Sequence, residues 1–355
     1  MKILIIKLSS LGDVIQTLSV LSPLRKKYPE AHISWLIEEE AAELIIDHPL
    51  VDQVLVFRKN KWLKEFANYR KWVQFFREIS DFIKEIRSYS YDLIIDFQGL
   101  FKSGIFVGIC RGKRKLGFSP AREKSHIFLD EKIPYPKSSL HAVDRYIHLI
   151  ESLGCSCQSP KFFIPIRQNH RDKIIEFFQE KKIAPDDPIV LLHPGTRWKA
   201  KLWEEEKWAV LGDQLHQKNG AQIIFTGSRE DFSLVKRIID RMKFSGINTA
   251  GRWGLKELAF LQTQADVIVI PDSGPMHLAA AVGTPVVALF GPTHPALTGP
   301  YGKIHMVTVK SIECRPCFRR KCSPNKCMTE ISVREVREAT EPYLSFLNIP
   351  KAVAK

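Results

Sequence analysis

The chain has 355 residues, of which 45% are hydrophobic, so it is long enough for two domains that each bury a core. No apolar run approaches the roughly 18 residues of a membrane-spanning helix, and the first residues favour a strand over a cleavable signal. We therefore expect no transmembrane segment and a cytoplasmic location. Lys and Arg outnumber Asp and Glu by 53 to 39, a net charge of +14 that predicts an acidic partner: nucleic acid, an anionic membrane surface or a phosphorylated lipid.

The first half of the chain alternates predicted strands and helices. Short apolar runs predict strands at 2–7, 32–37, 53–57 and 91–96, and a helical pattern follows the first of them over about 14–27. Ligands of doubly wound folds gather at the carboxyl ends of the strands. The turns that follow the first and fourth strands are therefore candidate binding segments.

Asp13 is the candidate catalytic residue of this half. It lies in the turn after the first strand with Ser10 and Gly12, and Lys102 follows the fourth strand, so these residues should face one crevice. A carboxylate placed there can take a proton from a bound hydroxyl. The alternative is that Asp13 is only an N-terminal helix carboxylate favoured by the helix dipole.

A stripe of apolar residues spaced three or four apart runs through 62–86, among positions rich in Lys and Arg. The spacing predicts an amphipathic helix, and most such stripes pack on their own domain. The alternative is that Trp72, Phe75 and Phe82, with the basic stretch 58–64, form a surface that touches the membrane or an acidic acceptor. The exposure of these side chains separates the two interpretations.

The second half repeats the alternation. Strands are predicted at 189–193, 221–225, 267–270 and 285–290, and helices at 204–217, 231–242, 255–264 and 276–282. Each of the first three strands ends in a polar turn, so we expect the three turns to converge on one edge of the sheet.

The turn Asp272, Ser273, Gly274 organises this half. It joins a buried strand to a helix that starts with Pro275, where a missing amide hydrogen costs nothing. The free amides and the dipole of a helix start bind anions, and Ser273 and His277 can add hydrogen bonds, so a diphosphate is the predicted ligand. The alternative is that Asp272 merely caps a core helix.

These patterns predict an α/β protein of two facing, doubly wound Rossmann-like domains, 1–165 and 166–335, with a helical tail at 336–355. The boundary lies where periodicity is lost, near Pro160 and Pro165. Neither half contains a Gly-x-Gly-x-x-Gly fingerprint or a P-loop lysine, which weakens dehydrogenase and nucleotide-hydrolase functions. A nucleotide edge on the second domain instead suggests a glycosyltransferase that uses a nucleotide-sugar in the cleft between the domains.

Six segments of the chain resemble the lipopolysaccharide heptosyltransferases, the ADP-heptose glycosyltransferases of family nine, which have the GT-B fold. The segments are 7–13, 35–39, 96–103, 141–143, 196–203 and 272–302. They run through both domains in order, and the heptosyltransferase I branch is the most similar.

The resemblance implies inverting, metal-independent transfer of a heptose from ADP-L-glycero-D-manno-heptose to a Kdo sugar on lipid A. It implies that Asp13 is the general base and that Lys201 supplies positive charge for the ADP leaving group. The implied donor residues are Thr196, Lys201, Glu230, Asp272, Ser273, Gly274, Pro275 and His277, and the implied acceptor residues are Ser10, Gly12, Lys102, Arg122 and His141. Lys201 could instead be a solvated lysine, and Asp231 could replace Glu230 at the ribose.

The chain departs from the family pattern in three places. The turn at 194–196 has one threonine where two are expected. Trp253 stands where a smaller apolar residue is expected near the adenine, and it either stacks on the base or fills core. Four cysteines form a tail motif that is more similar to heptosyltransferase II and to some protein heptosyltransferases: Cys314, Cys317, Cys322 and Cys327. They either hold a structural zinc or iron ion or remain reduced thiols in a basic loop.

Two other functions remain open. The enzyme could act on a core heptose or a protein hydroxyl in place of Kdo, or the chain could be a non-catalytic nucleic-acid-binding protein with the cysteines as a zinc ribbon. In a nucleic-acid-binding protein, Asp13 and the Asp272 turn would have no function. We expect ADP-heptose and Kdo-lipid A as partners, no nucleic acid, and a peripheral position at the cytoplasmic face of the inner membrane.

Overall fold

The computed structural model describes residues 1–136 and 140–344, apart from the side chain of Arg122. The chain divides into two compact units, Met1–Pro165 and a second that begins at Ile166. The predicted tail at 336–355 lies partly outside the described residues.

The first unit is built on a parallel sheet. Its strands are β1 (Lys2–Ile6), β2 (His32–Glu38), β3 (Gln53–Phe57), β4 (Ser90–Tyr91), β5 (Leu93–Asp96), β6 (Arg111–Gly112), β7 (Lys115–Ser119) and β8 (Glu131–Pro134). Within the described ranges, six of these strands form one sheet in the order β3-β2-β1-β5-β7-β8, and β4 pairs with β6. The order reverses between β1 and β5, which opens a crevice at their carboxyl ends.

The helices of this unit are α1 (Leu11–Thr17), α2 (Leu21–Lys27), α3 (Glu39–Ala42), α4 (Lys59–Phe66), α5 (Trp72–Ser88), α6 (Phe101–Ile109) and α7 (Ala142–Glu151). Short 3-10 turns lie at Leu18–Val20, Tyr69–Lys71 and Arg122–Phe128. The prediction of one helix over 14–27 is wrong, because the helix begins at Leu11 and Pro23 has no amide hydrogen for the carbonyl of Ser19.

The second unit repeats the first sheet. Its strands are β9 (Ile189–Leu192), β10 (Gln222–Phe225), β11 (Ile247–Asn248), β12 (Val267–Pro271), β13 (Val286–Phe290) and β14 (Met306–Val309). Among the described residues they form a parallel sheet in the order β11-β10-β9-β12-β13-β14. Here the order reverses between β9 and β12, so the turns after those two strands lie at the crevice.

Helices cover both faces of this sheet. They are α8 (Gln168–Glu180), α9 (Glu205–Asn219), α10 (Phe232–Ile239), α11 (Leu255–Gln264), α12 (Gly274–Ala281), α13 (Pro295–Thr298), α14 (Lys326–Thr329) and α15 (Val333–Leu344). Val190 and Leu192 pack with Trp208 on one face, while Leu191 packs with Phe177 on the other. Because both faces are buried, these strands are continuous apolar runs.

The apolar stripe over 62–86 divides into a buried and an exposed part. The pattern is carried by α4 and α5 with a break at Asn68, whose side chain accepts from the Arg70 amide and caps the 3-10 turn. Trp62 and Phe82 are buried against the domain. A second set is exposed and comprises Leu63, Phe66, Tyr69, Trp72, Val73 and Phe76. In the described part of the chain, no helix has the length and apolarity to cross a bilayer.

Candidate functional site

Asp13 is held at the start of α1 by Ser10. The Ser10 amide and hydroxyl both donate to Oδ2 of Asp13, at 3.1 and 2.9 Å. This is the expected pairing of a serine that precedes a helix with a carboxylate three residues later, and it lies at the positive end of the helix dipole. Asp13 is half-buried. The carboxylate is therefore ordered and still reachable.

A buried chain of hydrogen bonds reaches the other oxygen of Asp13. Lys7 Nζ donates to the Tyr146 hydroxyl at 2.8 Å and to the Phe97 carbonyl at 3.1 Å. The Tyr146 hydroxyl donates to Oδ1 of Asp13 over a longer 3.4 Å. Burial lowers the pKa of Lys7, a tendency that the nearby Asp13 partly offsets, and burial raises the pKa of Tyr146 well above its ordinary value. Sequence reasoning missed Tyr146, whose signal was a tyrosine on the buried face of α7.

The turns after β1 and β5 are tied together beside Asp13. Lys102 Nζ donates to the Ser9 hydroxyl and to Oε1 of Glu38, both at 2.7 Å. The amides of Leu8 and Ser9 both donate to Oε1 of Gln98, at 3.1 Å. The structure therefore brings Ser10, Asp13 and Lys102 to the predicted edge of the sheet.

The structure says less about the other predicted acceptor residues. Gly12 is buried in the first turn of α1, and His141 precedes α7, where its Nδ1 accepts from the Val143 amide at 3.2 Å. His141 thus caps a helix, and its role toward an acceptor stays a prediction. The side chain of Arg122 lies outside the described residues.

On the second unit, Lys201 and Asp272 form a buried ion pair. Lys201 Nζ lies 2.6 Å from Oδ2 of Asp272 and 3.2 Å from its carbonyl oxygen, and the Thr293 hydroxyl donates to the same carboxylate oxygen at 2.6 Å. The two charged side chains are only 10% and 8% exposed. The alternative of a solvated Lys201 is therefore wrong. Asp272 does not cap α12, because Ser273 occupies the capping position.

Ser273 presents an unsatisfied hydroxyl at the start of α12. Among the described residues, its Oγ is buried and has no hydrogen-bond partner. A buried hydroxyl left unpaired costs roughly 1–3 kcal/mol, so such a group commonly awaits a ligand or a water. Gly274 and Pro275 form the first turn of the helix, and His277 is buried one turn further on. Amides, dipole and hydroxyl together suit an anion.

The turns after β9 and β10 lie against each other. His193 Nδ1 is 2.9 Å from the Thr226 hydroxyl, and burial lowers the pKa of His193 to about 4, so the ring is neutral at physiological pH. A Cβ added at Gly195 would overlap the carboxylate of Asp231. Thr196, the next residue, is half-buried. Glycine is thus required for this contact between turns.

Glu230 and Asp231 have different environments. Oδ2 of Asp231 accepts from the Ser228 amide at 2.8 Å and from its hydroxyl at 2.7 Å. Glu230 is exposed, and a hydrogen bond from its own backbone amide lowers its pKa. Asp231 is therefore committed to the turn, which favours Glu230 over Asp231 as the group free to reach a ligand.

Trp253 packs inside the second unit. Its ring lies edge-on to Phe177 at 5.3 Å, and the Arg252 guanidinium lies 4.7 Å from its centroid. Of the two alternatives for Trp253, these contacts favour core filling. In the described chain its indole nitrogen is buried without a partner.

The cysteine loop is tied to the segment that carries Thr293. The Arg315 guanidinium donates to the carbonyls of Gly291, Lys310 and Thr293, and the Cys317 amide donates to the Pro292 carbonyl at 3.0 Å. Thr293 in turn holds Asp272. The loop therefore braces the turn beside the buried ion pair.

The four cysteines of this loop are free thiols, and Cys314, Cys317 and Cys327 lie near Arg315. Cys327 is buried, and burial together with the neighbouring thiols raises its pKa. Within residues 1–136 and 140–344, no three of the thiols have sulfur atoms all within 4.8 Å of one another. A tetrahedral metal site needs the sulfurs closer than this, so the arrangement does not match a closed site.

Comparison with known proteins gives a consistent result. The family model described as glycosyltransferase family 9 (heptosyltransferase) matches residues 79–328. Lipopolysaccharide heptosyltransferase 1 of Salmonella typhimurium is 31% identical over 311 residues, which cover 86% of this chain and 93% of the relative.

Solved structures agree. The family 9 glycosyl transferase from Veillonella parvula superposes with a TM-score of 0.83 at 25% identity and covers 97% of both chains. The E. coli heptosyltransferase WaaC with ADP-2-deoxy-2-fluoro heptose gives a TM-score of 0.72 at 26% identity, over 96% of this chain and 99% of that chain.

Proposed function

The chain belongs to glycosyltransferase family 9, the heptosyltransferases, and we propose that it transfers L-glycero-D-manno-heptose from ADP-heptose to a Kdo sugar of the lipopolysaccharide inner core. Its fold is of the GT-B type, with two Rossmann-like domains. The name of the Salmonella relative supports the lipopolysaccharide substrate, and the ligand of the E. coli structure supports an ADP-heptose donor.

The donor is assigned to the second unit. The observation that supports this assignment most directly is the unpartnered Ser273 hydroxyl at the start of α12. The same turn contains Asp272, which pairs with Lys201. When the glycosidic bond to ADP breaks, negative charge develops on the diphosphate. Preorganised donors and a cation stabilise such charge without having to reorganise during the reaction. Lys201 and the first turn of α12 supply them.

The other donor contacts follow from the neighbouring turns. Thr196, Gly274, Pro275 and His277 are assigned to the same diphosphate, and the exposed Glu230 is assigned to the ribose. Asp272 keeps Lys201 oriented and is assigned to the heptose as well. The buried pair is neutral overall, so the α12 amides add the remaining favourable potential.

The acceptor is assigned to the first unit. Asp13 takes the proton of the acceptor hydroxyl as that oxygen bonds to the anomeric carbon, and ADP leaves from the opposite face, which inverts the configuration. Ser10 and Tyr146 hold the two carboxylate oxygens, so the base is oriented before the acceptor arrives. Lys102 has a charge that suits an acidic Kdo, and Gly12, Arg122 and His141 complete the assigned acceptor residues.

We assign no metal to the reaction itself, because Lys201 and the helix start take the role that a cation would have at the diphosphate. A structural zinc or iron ion in the cysteine loop is a separate proposal. It is supported by the spacing of the four thiols and by the position of three of them near Arg315, and the sulfur separations count against it. Metal analysis of freshly purified protein tests it, and a protein free of both metals would contradict it.

Mass spectrometry of the reaction product tests the function. The protein is incubated with ADP-heptose and a Kdo-bearing lipid A, and in parallel with a heptose-bearing core or a protein acceptor. We expect the mass of one heptose residue to be added to the Kdo acceptor. Transfer only to the heptose-bearing core or to a protein hydroxyl would contradict the Kdo assignment, and no transfer to any acceptor would contradict the donor as well.

A further inference from the structure

The segment 58–77, which contains α4, the 3-10 turn and the start of α5, exposes apolar side chains that the proposed chemistry does not use. We call it the tip segment. Six large apolar residues in it are exposed to solvent: Leu63, Phe66, Tyr69, Trp72, Val73 and Phe76. Val73 is 84% exposed and Tyr69 is 70% exposed. Single exposed apolar residues are normal, but a contiguous set of this kind marks an interaction site.

The tip segment is ordered by its own contacts. Trp62 packs against Phe82 in the domain core, with ring centroids 5.3 Å apart. Above this anchor, Phe66 stacks on Trp72 at 6.1 Å with the planes 17° apart, and the Trp72 indole donates to the Phe66 carbonyl at 2.9 Å. The exposed aromatics are thus presented on a fixed frame, so their exposure is a property of the fold.

The charge of the tip segment identifies the partner. Residues 58–77 contain seven basic residues and one acidic residue, so the net charge is +6. The acidic Glu65 is buried, and Lys61 pairs with Glu78 at 2.7 Å. The other six basic side chains are exposed: Arg58, Lys59, Lys64, Arg70, Lys71 and Arg77.

We propose that the tip segment binds an anionic lipid bilayer and inserts its aromatic and aliphatic side chains at the level of the headgroups. Trp and Tyr prefer the membrane interface, because a ring with a polar edge suits its mixed polarity. Basic residues around an apolar face are typical of a segment that lies on a membrane surface and is attracted by anionic lipids. The inference adds to the proposed function, whose lipid A acceptor is a membrane lipid, by assigning the membrane contact to the tip segment.

Vesicle co-sedimentation tests the inference without either sugar substrate, so its outcome is independent of transfer. Vesicles of phosphatidylethanolamine with phosphatidylglycerol are compared with vesicles of phosphatidylcholine. We expect the protein to bind the anionic vesicles at about 0.1 M salt and to lose most of that binding at about 1 M salt. Equal binding to both vesicles, or none to either, would overturn the proposal.

Surface variants locate the contact. Leu63→Ser/Val73→Ser removes two exposed apolar side chains and should weaken binding to anionic vesicles by at least about 10-fold. Arg70→Gln/Lys71→Gln should weaken it by about 5-fold for each charge. The matched control is Phe232→Ser/Ile304→Ser, two residues that are each 50% exposed in the second unit, and it should bind like the unchanged protein. A control that loses as much as the tip variants would overturn the assignment.

Fluorescence quenching by brominated lipids measures insertion directly. Trp72 is exposed in the tip segment, so lipids brominated near the headgroup should quench part of the tryptophan fluorescence of the protein. The variant Trp72→Phe keeps an aromatic ring stacked on Phe66 and should abolish this quenching. Quenching that survives Trp72→Phe would contradict insertion at the tip. Two further results would overturn the proposal. In the first, the tip-segment variants lose self-association but bind lipid like the unchanged protein. In the second, the unchanged protein binds Kdo-bearing lipid A but not phosphatidylglycerol.

Discussion

A Lys201→Met substitution tests the buried ion pair on the donor side. Asp272 would keep its hydrogen bond from Thr293 and lose its cation. Removing one partner of a buried pair lowers the unfolding free energy by about 3–5 kcal/mol, because the remaining charge is left in a poorly solvated site. Since the Thr293 hydroxyl still donates to Asp272, we expect a loss at the lower end of this range, about 3 kcal/mol. The double variant Lys201→Met/Asp272→Asn removes both charges, and we expect it to be within about 1 kcal/mol of the unchanged protein.

The affinity for ADP should behave differently from the stability. Both variants lack the cation assigned to the diphosphate, and a hydrogen bond to a charged group contributes about 1.5–3 kcal/mol, so both should bind ADP about 10- to 100-fold more weakly. The double variant is therefore expected to regain the stability of the unchanged protein without regaining its affinity for ADP. This separation distinguishes a binding role of Lys201 from a purely structural one.

Urea unfolding and calorimetric titration with ADP measure the two quantities. Since the chain has two units, unfolding is not expected to be a single transition, and the transition that ADP moves to higher urea is the relevant one. Unchanged ADP affinity in both variants would refute the assignment of Lys201 to the diphosphate. Unchanged stability of Lys201→Met would refute the account of the buried pair.

Two further substitutions test the positioning network and the pH dependence. Tyr146→Phe removes the hydroxyl that donates to Asp13, so kcat should fall about 10-fold while the KM for ADP-heptose is unchanged, and a normal kcat would contradict a positioning role. His193 has a pKa of about 4 in the folded protein against an ordinary 6.5, so between these values the unfolded chain binds a proton that the folded chain excludes. The unfolding free energy should fall by about 1.4 kcal/mol per pH unit from this residue as the pH drops through that range. His193→Gln should show a shallower slope between pH 6.5 and 4.5 in urea unfolding, and equal slopes would contradict the assignment.

The sheets and their functional edges could be predicted because the information is local. Strands buried on both faces, such as β12 and β13, are uninterrupted apolar runs that need no knowledge of their neighbours. The polar turns that follow them must lie at the carboxyl edge once the strands are parallel. Asp13 and Ser273 were found for this reason.

Other elements had no such signal. β7 contains a glycine, β8 ends in a proline, and both are short and only partly apolar, so their sequences do not resemble strands without the sheet beside them. The break between α4 and α5 depends on a cap by Asn68, and the periodicity of the stripe continues across it. In these cases tertiary contacts decided the outcome.

Contacts between distant residues were the least predictable part of the site. Tyr146 meets Lys7 and Asp13 across more than 130 positions of sequence, and no spacing rule links them. The cysteine spacing suggested a closed metal site, but spacing does not fix the distances between sulfurs. The alternative of a non-catalytic nucleic-acid-binding protein is wrong, because the chain belongs to a glycosyltransferase family.

Asp13→Asn, assayed for both donor binding and transfer, tests the central claim that this carboxylate activates the acceptor hydroxyl while a separate set of groups holds the nucleotide. The amide keeps the size of the side chain and its acceptor oxygen, so ADP-heptose should bind by titration with unchanged affinity, while heptose transfer falls by about 10²-fold or more. Transfer at the normal rate with intact donor binding would contradict the claim.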